Sequence, residues 1–240
     1  MPNVIITGAD RGFGLSLCRE FLEQGWTVFG GKFLEDYTLL EQEREKNPNL
    51  HIINLDVGDT ASIANARDQV ASLTGSLDML ISNAALMGRV KCNLEEPPMD
   101  LKAPWDSFRV NALGPAHMVE HFLPLLDKGS MKRLCFVSSE VSCISLMKHR
   151  PGGSYPYPMS KSSLNMAVRL MHNLLYDQGY TFRLYHPGWM KKMMQDGSLS
   201  EEAQYDPANT AAHAAKYFLA PLKDEHRLVM YDFRDQDWPW

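Results

Sequence analysis

Within SYPYPMSK (residues 154 to 161), the spacing of two side chains is one that can do chemistry. Tyr157 and Lys161 are four residues apart, so a helix running from residue 157 places both on one face, one turn apart. A phenol, with a reference pKa of about 10, is a poor acid or base at neutral pH unless a cation stands close by. Lys161 is such a cation, and Tyr155 has no partner at that spacing. Pro158 is compatible with the helix, because N–H groups in a first turn have no intrahelical acceptor to lose. A second candidate lies near the start of the chain. TGADRGFG places Gly8, Gly12 and Gly14 where the apolar run NVIIT gives way to a helical pattern. Glycines there let the backbone turn tightly and approach a pyrophosphate seated on the helix N-terminus. The spacing is G-x-x-x-G-x-G, distinct from the G-x-G-x-x-G of many dinucleotide folds.

The elements that must position these residues alternate along the chain. NVIIT (3–7), TVFGG (27–31), HIINL (51–55), DMLIS (78–82), RLCFVS (133–138), FRLYH (182–186) and RLVMY (227–231) read as strands. Helical patterns separate them: 14–25, 34–46, 60–73, a region around 104–126, the helix from 157, and one near 208–220. This predicts an α/β fold of the Rossmann type, a doubly wound sheet of about seven parallel strands with helices on both faces. The strands are continuous apolar runs, as expected when both sheet faces are covered. With 240 residues, 45% of them hydrophobic, the chain suits one dinucleotide-binding catalytic domain spanning 1–240. The polar, aperiodic segment 188–206 is expected to form a flap over the site.

Composition excludes several other classes. A net charge of −5 offers no basic surface for nucleic acid. The four cysteines, Cys18, Cys92, Cys135 and Cys143, form no C-x-x-C pair, so neither a disulfide framework nor a zinc site is expected. No targeting segment or membrane span is legible, and the expected compartment is the cytoplasm. HMVEH (117–121) satisfies the H-x-x-E-H signature of inverted zinc peptidases. Metal ligation needs a third ligand and an open site, so its histidines read as surface or interface groups and no metal is expected.

Taken together, the motifs resemble the short-chain dehydrogenase/reductase family, in its short single-domain branch. TGADRGFG resembles that family's cofactor motif, LDV (55–57) its adenine-side segment, and SNAA (82–85) its N-N-A-G. VNALGP (110–115) carries its asparagine, VSS (137–139) its serine strand, YPMSK (157–161) its tyrosine and lysine, and HPGW (186–189) its P-G turn. HPGW and the terminal tryptophan suggest the C-factor-like and carbonyl-reductase-like subgroup. The resemblance implies a catalytic set of Asn111, Ser139, Tyr157 and Lys161. Tyr157 acts as general acid in carbonyl reduction or as base in the reverse oxidation. Lys161 lowers its pKa and binds the nicotinamide ribose. Asn111 anchors a relay water, and Ser139 orients the substrate carbonyl. Ser138, Ser142 and Ser145 stand as alternatives for the serine, because MKHRPGGS (147–154) reads as an insertion that lengthens its distance from the tyrosine.

The cofactor contacts implied are Thr7, Gly8, Arg11, Gly12, Phe13, Gly14, Lys32, Asp56, Val57, Asn83, Ala84, Tyr157, Lys161, Pro187 and Gly188. At the end of the second strand, where NAD-dependent members carry an acid, this chain has Lys32, and Arg11 precedes the second glycine. Both charges suit a 2′-phosphate, so NADP(H) is favoured over NAD(H). Two departures are Ala85 in place of a glycine and Lys192 in place of a threonine. Trp189, Met190, Met193 and Met194 fall where the family's substrate flap begins, and Lys148, His149, Arg150, Lys191 and Lys192 read as solvated charges. A homodimer or homotetramer is implied through the helices following Asn111 and Tyr157. The expected activity is NADP(H)-dependent reduction of an aldehyde or ketone. The rivals are a cofactor-binding redox sensor with little turnover and, less favoured by glycine spacing and chain length, a sugar-nucleotide epimerase.

Overall fold

The computed structural model describes residues 1–88, 92–95, 97–148 and 153–239. Eight strands form one sheet: β1 (Asn3–Ile6), β2 (Thr27–Lys32), β3 (Leu50–Asn54), β4 (Met79–Ser82), β5 (Arg133–Val137), β6 (Thr181–His186), β7 (Met230–Asp232) and β8 (Asp237–Trp238). Their order is β3-β2-β1-β4-β5-β6-β7-β8. The first seven run parallel, and β8 returns antiparallel on β7, pairing Met230 with Trp238. Seven parallel strands agree with the sequence pattern. The eighth, only two residues long, is too short to show a periodicity. RLVMY (227–231) begins ahead of the strand itself, since pairing with β6 starts only at Met230.

Among the described residues, seven α-helices accompany the sheet: α1 (Gly12–Glu23), α2 (Leu39–Lys46), α3 (Thr60–Leu73), α4 (Lys102–Phe108), α5 (Gly114–Leu126), α6 (Pro156–Leu175) and α7 (Pro207–Leu219). The strands' two-residue period divides the core. Val4 and Ile6 of β1 face Phe13, Leu17 and Phe21 of α1 and Ala214 and Phe218 of α7. Ile5 faces the opposite cluster, with Ile63 of α3, Phe122 of α5 and Leu164 and Val168 of α6. The region read as one helix around 104–126 is broken by a π turn over Arg109–Leu113, between α4 and α5. Such a turn is a common device at functional sites, and Asn111 sits within it.

The strand order reverses its direction of growth at β1, which pairs with β2 on one side and β4 on the other. Open α/β sheets bind ligands outside the carboxyl ends of the strands at such a switch point. Gly114, the first residue of α5, lets that helix press on the loop after β3, where an added Cβ would lie 2.5 Å from the Val57 carbonyl oxygen. At Gly75 an added Cβ meets nothing within 4 Å. Gly114→Ala should therefore lose about 1–3 kcal/mol of stability by overpacking. Gly75→Ala should be neutral or gain about 0.4–1 kcal/mol through the unfolded chain. Urea unfolding of the two variants checks the contrast, and equal midpoints would contradict it.

Candidate active site

The glycine loop is built by the residues around it. Thr7 Oγ1 accepts hydrogen bonds from the backbone N–H groups of Asn83 and Ala84, each at 3.0 Å. Asn83 Nδ2 donates back to the carbonyls of Thr7 (2.9 Å) and Gly8 (3.0 Å). This reciprocal clasp joins the ends of β1 and β4 across the switch point. Gly8 has φ +66°, and a Cβ there would sit 2.8 Å from Ala84 Cα. A Cβ on Gly14 would lie 2.1 Å from the Gly8 carbonyl oxygen, whereas Gly12, with φ +58°, has open space where its side chain would be. Phe13 is buried in the core, so only its backbone can serve a ligand.

Anion binding is favoured at the start of α1. Its N-cap, Arg11, makes no side-chain capping bond, and its first turn carries no acidic residue. The N-terminal turn and positive end of the helix dipole are thus left without a side-chain oxygen cap, and the residues fit a dinucleotide pyrophosphate. Gly12 N–H points to Met193 Sδ at 3.3 Å, and Arg11 donates to the Met193 carbonyl (3.2 Å) and to the Tyr37 hydroxyl (2.9 Å). Segment 188–206 therefore reaches across to the glycine loop, and Gln195 of that segment bonds Asp36 in the loop before α2. Asp56 Oδ1 accepts from Gly58 N, while Val57 is buried and its backbone faces Gly114. Pro187 and Gly188 follow β6, and the positive φ of Gly188 (+81°) turns the chain into that segment. The Lys32 ammonium is paired with the Glu41 carboxylate.

Tyr157 and Lys161 share one face of α6, as their spacing predicts, with Pro156 and Pro158 in its first turn. Lys161 Nζ lies 5.9 Å from the centroid of the Tyr157 ring and donates to the Val137 carbonyl at 2.8 Å. Lys161 is 2% exposed, and burial lowers its pKa to about 7. Burial pushes the Tyr157 phenol up to about 12, against the pull of a hydrogen bond with Ser139. The Lys161 ammonium is directed at Val137 and is itself discouraged from ionising by burial. Tyr157 is consequently held protonated at neutral pH.

Ser139 is the serine that meets Tyr157. Ser138 Oγ bonds Asn165 Oδ1 (2.7 Å) and Ser142 Oγ (3.3 Å), and Asn165 Nδ2 donates to Ser142 Oγ (2.8 Å). Those two serines serve to lock the turn after β5 to α6, and Ser145 is exposed. Asn165 escaped the sequence analysis, although Tyr157, Lys161 and Asn165 form a polar i, i+4, i+8 row. Asn111 is fully buried, with Oδ1 accepting from Leu86 N (2.7 Å) and Nδ2 donating to Leu86 O (2.9 Å) and Ser160 Oγ (2.9 Å). It ties the segment after β4 to the helix bearing Tyr157. Both of its N–H donors are engaged by protein, so only its oxygen side retains capacity for water.

The family's short chain dehydrogenase model matches residues 2–203. The chain belongs to the short-chain dehydrogenase family. An uncharacterized oxidoreductase of Schizosaccharomyces pombe is 32% identical over 219 residues, covering 90% of this chain and 84% of that protein. C-signal of Myxococcus xanthus is 34% identical over 169 residues, 70% of this chain and 95% of its own length. Two solved structures share the fold across all of this chain. NADPH-bound carbonyl reductase from chicken fatty liver has a TM-score of 0.86 at 24% identity, with 99% of that chain covered. Carbonyl reductase Sniffer of D. melanogaster has a TM-score of 0.87 at 21% identity, fully covered. This short-chain dehydrogenase is an NAD(P)-dependent oxidoreductase. Its HMVEH motif lies on α5, with His117 Nδ1 3.4 Å from Thr60 Oγ1. Among the described residues no group of three or more His, Cys, Asp or Glu side chains is placed to hold a metal. His149, Arg150 and the terminal Trp240 lie outside the described residues.

The Thr7 clasp can be tested by itself. Thr7→Val keeps the shape but leaves the Asn83 and Ala84 N–H groups without their acceptor, at a cost of about 1–3 kcal/mol. Chemical unfolding should show that loss, and a variant as stable as the parent would contradict the clasp.

Proposed function

We propose that this protein reduces an aldehyde or ketone to an alcohol, with NADPH as the preferred hydride donor. The observation that carries the proposal is the placement of the Tyr157 phenol, bonded to Ser139 and beside Lys161, at the carboxyl edge of the sheet that also bears the uncapped start of α1. The nicotinamide, when bound, supplies the hydride. Tyr157 supplies the proton to the carbonyl oxygen, and Ser139 shares that oxygen and so aligns the carbonyl. Lys161, with two N–H groups beyond its bond to Val137 among the described contacts, is placed to hold ribose hydroxyls and support the phenolate as the proton leaves. Asn111 fixes the wall behind them, and its oxygen is the relay's point of attachment for water.

The nucleotide side is assigned to Thr7, Gly8, Gly12, Phe13 and Gly14 for the pyrophosphate, Asp56, Val57, Asn83 and Ala84 for the adenosine half, and Pro187 and Gly188 beside the nicotinamide. Arg11 and Lys32 supply the charge that favours a 2′-phosphate. Segment 188–206, with Trp189 and Met194 exposed, serves as the substrate flap of a single catalytic unit spanning the chain. No helix among the described residues is long and apolar enough to cross a membrane. We assign the protein to the cytoplasm, the compartment that suits its four free cysteines.

Titration of the wild type and Tyr157→Phe with NADPH and NADH, followed by turnover on aldehydes, ketones and diketones, tests the proposal. Both forms should bind NADPH more tightly than NADH, and only the wild type should oxidise it, with the variant down by at least about a hundredfold. Equal turnover by the variant would remove Tyr157 from the chemistry, and binding without turnover by either form would favour a sensor.

We further assign the exposed row Met159, Met166, Leu170 and Leu174 on α6 to a contact with a second copy of the chain. Leu170→Glu should shift the mass measured by light scattering toward a monomer. An unchanged mass would contradict that assignment.

A further inference from the structure

The end of β2 is stitched to the glycine loop. Ala9 N donates to the Gly31 carbonyl at 2.8 Å, and Asp10 Oδ1 accepts from Phe33 N (2.7 Å) and Leu34 N (2.6 Å). In folds of this topology the side chain at this strand end reads the 2′ position of the adenosine ribose. Lys32 holds that place, yet its side chain is only 14% exposed and its ammonium is paired with Glu41. Glu41 stands in the first turn of α2, a favourable place for a carboxylate, and Thr38 adds no side-chain cap there. Only one oxygen of that carboxylate is engaged, since Glu41 Oε2 is buried without a hydrogen-bond partner. The second cation, Arg11, is committed to the hydroxyl and ring face of Tyr37 and to the Met193 carbonyl. Of the two cations at this end of the cleft, Lys32 is thus already paired with a carboxylate, and Arg11 is held by uncharged partners.

From this we infer that Glu41 is a specificity-determining residue: by pairing with Lys32 it weakens the chain's hold on a 2′-phosphorylated dinucleotide while leaving the unphosphorylated one almost unaffected. A 2′-phosphate must separate Lys32 from Glu41 and then remain near the displaced carboxylate, and like charges a few ångströms apart repel strongly outside bulk water. A ribose carrying only hydroxyls imposes neither requirement. The inference rests on the nucleotide assignment proposed above and concerns the choice between nucleotides.

Calorimetric titration of the full chain with NADPH and with NADH tests it, using Glu41→Gln, Glu41→Lys and Lys32→Met/Glu41→Gln. NADPH should bind about tenfold more tightly to Glu41→Gln than to the wild type, and more tightly still to Glu41→Lys. NADH should stay within about twofold, the gain should shrink at high salt, and the double variant should show none of it. Equal shifts for both nucleotides would mark Glu41 as merely structural and overturn the inference. Weaker or unchanged NADPH binding in Glu41→Gln, with both nucleotides still bound by the wild type, would overturn it alone. Failure of the wild type to bind either nucleotide would overturn it together with the proposed function.

Discussion

A lysine ammonium withdrawn from water and fastened to one backbone carbonyl organises the catalytic side of this protein. Ionised amines are costly to bury, and here Lys161 is almost completely enclosed with Val137 O as its acceptor. The bond ties the first turns of α6 to the end of β5, and the Asn165 contacts to Ser138 and Ser142 tie the same two elements again one turn further on. Ser139, the second residue after β5, is thereby delivered to Tyr157 on α6. The geometry of the proposed acid and of the group proposed to orient its target follows from how one helix is docked on one strand.

The nucleotide side depends on a different economy. Backbone groups around Gly8 are satisfied by Thr7 and Asn83, so the loop is rigid before any ligand arrives. The start of α1 is left without a capping side chain or an acidic residue. Preorganised donors that no protein oxygen caps are what an anion site requires. Asn111 links the two sides, since its amide holds the backbone just beyond β4 and a serine of α6 together. Its place in a π turn explains how an asparagine inside a helical region can aim inward at both.

Much of this was legible in the chain. Continuous apolar strands between helical periods specify a covered parallel sheet, and the positions of β1 to β6 followed from those runs alone. Tyr157, Lys161 and the three glycines announce themselves by spacing, because each must occupy one face or one tight turn. What stayed hidden depends on contacts between residues distant in sequence. Nothing around Asn111 shows a π turn, which is a product of packing against α6. The pairing of Lys32 with Glu41 across nine residues, and the approach of Met193 to Gly12, require the fold to be known. The extent to which Tyr157 and Lys161 are withdrawn from water was also beyond the sequence, since spacing indicates only that the two are near.

The charge of Lys161 is therefore the quantity on which the account turns. With its folded pKa lowered toward 7, from an ordinary value above 10, the ammonium is present below that pH and lost above it. The most direct measurement is an NMR pH titration of the protein carrying 13C-labelled lysine, with the Lys161 resonance assigned by its absence in Lys161→Met. The structure predicts a midpoint near 7, well separated from the exposed lysines. A midpoint at or above 10, among those lysines, would contradict the buried, marginally charged partner on which the chemistry proposed for Tyr157 is built.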